Sequence, residues 1–99
     1  MVSKDEAKRY LCDVAPEQCF WVNNGSVLKN LDELANTLPE MNHETFQHHV
    51  NNEKNDFSNW IRDVLGDQKL ADDLLSSKSK ASVLNKIKNR LHSLKKKAE

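Results

Sequence analysis

Three histidines close together, His43, His48 and His49, have the broadest chemical range in this chain. An imidazole can ligate a metal, move a proton near neutral pH or act as a general base. Glu44 and Glu53 stand near them, and Cys12 and Cys19 could join through the fold, so a metal site built on the cluster is one reading. The spacing argues against it. A helical zinc site places two ligands four apart on one face, whereas His48 and His49 are adjacent and diverge by roughly 100°, and His43 and His48 lie five apart. His49, three residues after Phe46 and beside Val50, is instead expected at the edge of a core, hydrogen-bonded locally. A cysteine–histidine nucleophile meets a similar objection: nothing local activates either thiol, and no Gly-rich turn offers an oxyanion hole. The acidic residues Asp5, Glu6, Asp32, Glu33 and Glu44 stand at expected helix starts, where negative charge suits the helix dipole. No phosphate-cradling Gly loop is present. The expectation is a protein that is not an enzyme, with no cofactor, no metal and no small-molecule substrate.

Charge divides the chain more sharply than its zero net value suggests. Residues 1–75 carry 7 Lys/Arg against 14 Asp/Glu, and residues 76–99 carry 8 against 1. An acidic body is therefore followed by a basic tail, which could lie on that body, on an acidic partner or on a polyanion. Lys80, Lys86, Lys88, Arg90, Lys95, Lys96 and Lys97 are the candidate phosphate contacts, and nonspecific nucleic-acid binding is the alternative function they raise. Only one of them is Arg, and no aromatic interleaves them to stack on bases. Leu84, Ile87, Leu91 and Leu94 fall at three-and-four spacing on the same helix and form an apolar seam in need of a partner surface. That seam is the expected docking or dimerisation element. It lacks the Trp or Phe anchors of a membrane-surface helix.

The elements that position these residues are read from caps and periodicity. Ser3 with Glu6 forms a capping-box pattern opening a helix from Lys4 to about Leu11 or Val14, before Pro16. Two short runs of aromatic and branched residues, Cys19–Val22 and Ser26–Leu28, flank Asn23-Asn24-Gly25 and predict a β-hairpin over about residues 19–29 with a two-residue Asn-Gly turn. Such a hairpin is marginal alone, so Phe20, Trp21, Val22 and Leu28 are expected to find cover on helices, Trp21 among them as core. Asn30 and Glu33 open a helix with Leu31, Leu34, Ala35 and Leu38 on one face, stopped by Pro39. Asn42, Asp56 and Asp67 then cap three short helices. These carry Phe46 and Val50; Phe57, Trp60, Ile61, Val64 and Leu65; and Leu70, Ala71, Leu74 and Leu75. Gly66 ends the second of them. The fold class is mainly all-α, five to six short helices with a small hairpin. Residues 1–76 form an acidic helical domain, and residues 77–99 a basic amphipathic helix packed on it or associated with it.

No apolar run approaches the ~20 residues that span a bilayer, and the charged N-terminus does not look like a signal peptide, which predicts a cytoplasmic protein. The stretch from about residue 19 to 75 resembles an uncharacterised family of small helical domains of archaea and some bacteria. The likeness rests on Phe20, Trp21, Asn24 and Gly25, then Phe46, His49 and Val50, then Asn55, Asp56, Phe57, Trp60 and Ile61. The resemblance implies an accessory or interaction domain without assigned activity. It also implies a recurring arrangement in which His49 and Asp56 meet across a helix junction.

Overall fold

Most helices open on a side chain that accepts a hydrogen bond from a first-turn amide, and the computed structural model, which describes residues 2–99, starts its helices at those caps. Helix α1 (Lys4–Leu11) has the full box: Glu6 N–H donates to Ser3 Oγ at 3.1 Å and Ser3 N–H to Glu6 Oε1 at 3.2 Å. The chain then passes through a 3₁₀ turn, Pro16–Gln18, into strands β1 (Phe20–Trp21) and β2 (Val27–Leu28), which pair antiparallel with Phe20 opposite Leu28 and Trp21 opposite Val27. Helix α2 (Leu31–Thr37), capped by Asn30, runs into a second 3₁₀ turn at Leu38–Glu40. Helices α3 (His43–His49), α4 (Asp56–Trp60), α5 (Gln68–Leu74) and α6 (Lys80–Ala98) complete a mainly helical fold with one small hairpin.

Two local departures from expectation have physical causes. The α4 cap is Asn55 rather than Asp56: Asn55 Oδ1 accepts from Ser58 N–H at 3.0 Å while its Nδ2 donates to the Leu74 carbonyl at 3.0 Å. A buried group that must both accept and donate suits a carboxamide and not a carboxylate. After Trp60 the helix widens into a π-turn over Ile61–Leu65, so Ile61 and Leu65 are buried while Val64 is only half-buried. Gly66, at φ +84°, closes it with its N–H on the Ile61 carbonyl, a left-handed conformation that glycine adopts without strain.

The core runs the length of the chain. Phe57, Ile61, Leu34, Leu38 and Leu74 are fully buried, and α6 contributes Val83, Ile87, Leu91 and Leu94 to the same cluster. Helix α6 packs against α1, α2 and α5. Its 19 residues span roughly 28 Å at the helical rise. The expectation that the seam Leu84, Ile87, Leu91 and Leu94 is a surface for a partner is therefore corrected. Its lower three members lie inside the molecule, and Val83 takes the fourth buried place while Leu84 is half-buried, because a straight helix repeats nearer 3.6 residues than 3.5. The acidic segment and the basic helix share one core.

Candidate docking surface

The fold leaves large apolar side chains uncovered at two places: Leu75, expected on the apolar face of α5 but 51% exposed just past the end of that helix, and the hairpin, where two such residues lie side by side. Side chains alternate faces along a strand, so Phe20 and Val22 point inward and are buried while Trp21 between them points out, 68% exposed. Its cross-strand partner Val27 is 43% exposed on the same face. This corrects the expectation that Trp21 is core. The loop is also one residue longer than an Asn-Gly turn: Val22 N–H bonds the Ser26 carbonyl at 2.8 Å and Gly25 N–H the Val22 carbonyl at 2.9 Å. Among the described residues only Gly25 and Gly66 have positive φ, which excludes the type I′ turn that would need it at two successive positions. Asn23 and Asn24 form the turn, and Gly25, at φ +98°, takes the left-handed step of a three-residue loop.

Beneath the exposed face the hairpin is pinned to the helices. Phe20 packs its ring 5.0 Å from His49, 5.1 Å from Phe57 and 5.7 Å from Trp60 between centroids. Trp60 Nε1–H donates to the Gln18 carbonyl at 2.8 Å, fixing the entry to β1. His49, 4% exposed, bridges three segments: its Nδ1 lies 2.9 Å from Asp56 Oδ2 and its Nε2 lies 3.0 Å from the Asn23 amide nitrogen. An amide can only donate and an ionised carboxylate can only accept, so the imidazole is neutral with its proton on Nδ1. Burial lowers the His49 pKa below its ordinary value, against the opposing pull of Asp56. Burial pushes Asp56 up, but hydrogen bonds from His49 and from Lys54 Nζ, 3.0 Å away, outweigh it and hold the carboxylate low.

The other candidate residues are dispersed. His43 and His48 are exposed on α3, and His49 has both nitrogens engaged, so the cluster does not converge. Among the described residues no three His, Cys, Asp or Glu side chains are placed to hold a metal ion. Cys12 and Cys19 point their thiols at the Lys8 and Ala15 carbonyls of their own segments.

Four of the seven candidate phosphate contacts turn onto the protein itself. Lys80 Nζ donates to the Met41 carbonyl at 2.8 Å, Lys86 Nζ to the Asp73 carbonyl at 2.8 Å and Lys95 Nζ to Asp32 Oδ1 at 2.8 Å. Arg90 forms two bonds of 2.8 Å to Asp67, whose side chain is 2% exposed and also accepts from Leu70 N–H to cap α5. The hydrogen bonds that Arg90 donates to Asp67 lead the causes that raise the Arg90 pKa. Lys88, Lys96 and Lys97 remain exposed. Sequence reasoning missed the Asp67–Arg90 pair because its partners are 23 residues apart. The outward Trp21, by contrast, was implicit in the alternation of Phe20, Trp21 and Val22.

These features define a small helical domain with a hairpin insert, whose strands carry an apolar outer face and whose turn is held by a buried histidine. The chain belongs to DUF5752, a family of unknown function, which matches residues 14–96. The match continues through nearly all of α6, in keeping with a core that this helix completes. No curated protein and no solved structure matches the chain.

Proposed function

We propose that the chain is a non-catalytic interaction or accessory domain that binds a protein partner, or a second copy of itself, through the outer face of the hairpin. The exposure of Trp21 beside Val27 carries this reading. Trp and other aromatics anchor interfaces because they bury much area with few rotors to order. Covering the open part of Trp21, on the order of 150 Å², would contribute about 4 kcal/mol before ordering costs. That suffices for the anchor of an interface and falls short of a whole one, which takes ~800 Å² per partner. The hairpin replaces the α6 seam as the docking element, since that seam is occupied within the fold.

The geometry weakens the nucleic-acid alternative. With Lys80, Lys86, Arg90 and Lys95 bonded to the protein itself, Lys88, Lys96 and Lys97 are left for phosphates, and three contacts give a salt slope of roughly −3. Light scattering at low and high salt, with and without a short DNA duplex, separates the readings. A salt-independent dimer that Trp21→Ser reduces to monomer supports docking through the hairpin. If wild-type protein stays monomeric, peptides selected for binding to it should lose their binding to Trp21→Ser. Peptides indifferent to that substitution, or a mass that rises only with DNA at low salt, would overturn it.

A further inference from the structure

Among the described residues His49 is the one buried histidine, and each of its nitrogens faces a partner that permits only one role. Nδ1–H must donate to Asp56, and the lone pair on Nε2 must accept from Asn23. A proton taken from solvent can therefore bind only at Nε2. It would turn that acceptor into a donor facing the Asn23 N–H across 3.0 Å. Two donors cannot share a hydrogen bond; Phe20 and Phe57, packed against the ring, offer no acceptor, and the His48 ring, 4.8 Å away between centroids and perpendicular to it, makes no hydrogen bond with it. We propose that His49 is a proton-operated latch on the hairpin: when its imidazole is protonated, the bond to Asn23 is lost and the Asn23–Gly25 turn loosens from the helical body.

The charged groups around the ring make this opening one-sided. Asp56, from the start of α4, attracts the imidazolium and keeps its bond to Nδ1. Lys54, on the segment before α4 and bonded to the same carboxylate, repels it, as does His48 from α3 whenever that ring is charged. From the hairpin come only Phe20 and the Asn23 amide, neither charged. The helix side of the junction thus tightens while the hairpin side lets go. Burial opposes the proton, so release belongs below the ordinary histidine range. The latch stands on the turn geometry alone and does not require the docking reading; if both hold, acid would slacken the element that presents Trp21.

The test is amide hydrogen exchange followed by NMR on the full chain between pH 7.5 and 5. The protection factor at Asn23 is expected to fall ~10-fold per pH unit once His49 titrates, one proton being linked to one opening. Amides of α6, which open only with the whole domain, should stay far better protected than Asn23 and lose no more than the global stability does. His49→Gln supplies a carbonyl oxygen for Asn23 and an amide for Asp56, so its turn should be insensitive to pH across this range. Should that variant not fold, the protonation curve of the His49 ring nitrogens in wild-type protein must coincide with the loss at Asn23. Constant protection at Asn23 down to pH 5, protection in α6 that drops to the level of Asn23, equal pH dependence in His49→Gln, or two curves that do not coincide would each overturn the latch.

Discussion

A serine at position 21 would remove an indole that faces mostly solvent, so Trp21→Ser is expected to change unfolding free energy by no more than ~0.5 kcal/mol. Phe20→Ala, one residue away, empties a place surrounded by His49, Phe57 and Trp60 and should cost ~3–5 kcal/mol. Urea denaturation of both variants measures the contrast, and similar losses would mean that Trp21 is packed after all. A second residue-scale prediction concerns Asp67, whose carboxylate caps α5 and pairs with Arg90 in one buried position. Asp67→Asn leaves the guanidinium partly buried without its counter-charge, which should destabilise by ~3 kcal/mol, the lower end for a broken buried pair because Arg90 keeps some exposure. Arg90→Met added to Asp67→Asn should recover part of that loss. Chemical denaturation of the single and double variants decides the matter, and additive losses would count against a coupled pair.

Among the elements, α6 has the clearest expected consequence. Removing residues 77–99 withdraws Val83, Ile87, Leu91 and Leu94 from the core, about 6–12 kcal/mol of burial, and leaves Asp67 without its partner. A small domain has only ~5–15 kcal/mol of net stability, so the fragment 1–76 is expected to show no cooperative melt by circular dichroism. A folded fragment would restore the picture of a separable tail. The starts of the helices were legible in the sequence because a cap is a contact three residues long, as with Ser3 and Glu6, Asn30 and Glu33, or Asn42 and Thr45. The destination of α6 was left open between its own acidic body and a partner, since an apolar seam states that a surface will be covered without stating by what. The π-turn at Ile61–Leu65 carries no residue type that announces it. The hairpin was half legible: Gly25 marked the turn, but whether Asn24 or only Gly25 takes positive φ depends on the pairing of Val22 with Ser26. The contact of His49 with Asp56 followed from the family resemblance, while the bond from His49 to Asn23 crosses 26 residues and had no local sign.

At the scale of the whole molecule, stability should fall with acid in two separate stages. His49 is held below its ordinary 6.5 by burial, so the unfolded chain binds a proton there more readily than the folded one. Wherever the unfolded state binds more protons, stability falls as pH falls. The first stage therefore begins near pH 6.5 and ends at the lower folded-state value of the imidazole. Asp56 is also depressed, from 3.8, with burial opposing and the bonds from His49 and Lys54 prevailing, so its contribution is present above that value and lost as the pH falls below it. Glu6, depressed from 4.5 chiefly by its bonds to Ser3, has the same sign at the surface. Thermal midpoints recorded from pH 8 to 3 should consequently show a decline near neutrality and another in the carboxylate range. Removing the imidazole separates the two, because His49→Gln keeps Asp56 and Glu6 but lacks the buried group that binds a proton more readily in the unfolded chain. That variant should have a flat profile down to about pH 5 and retain the lower stage. If the decline near neutrality persists in it, some group other than His49 is responsible, and the buried imidazole does not govern the acid response of the fold.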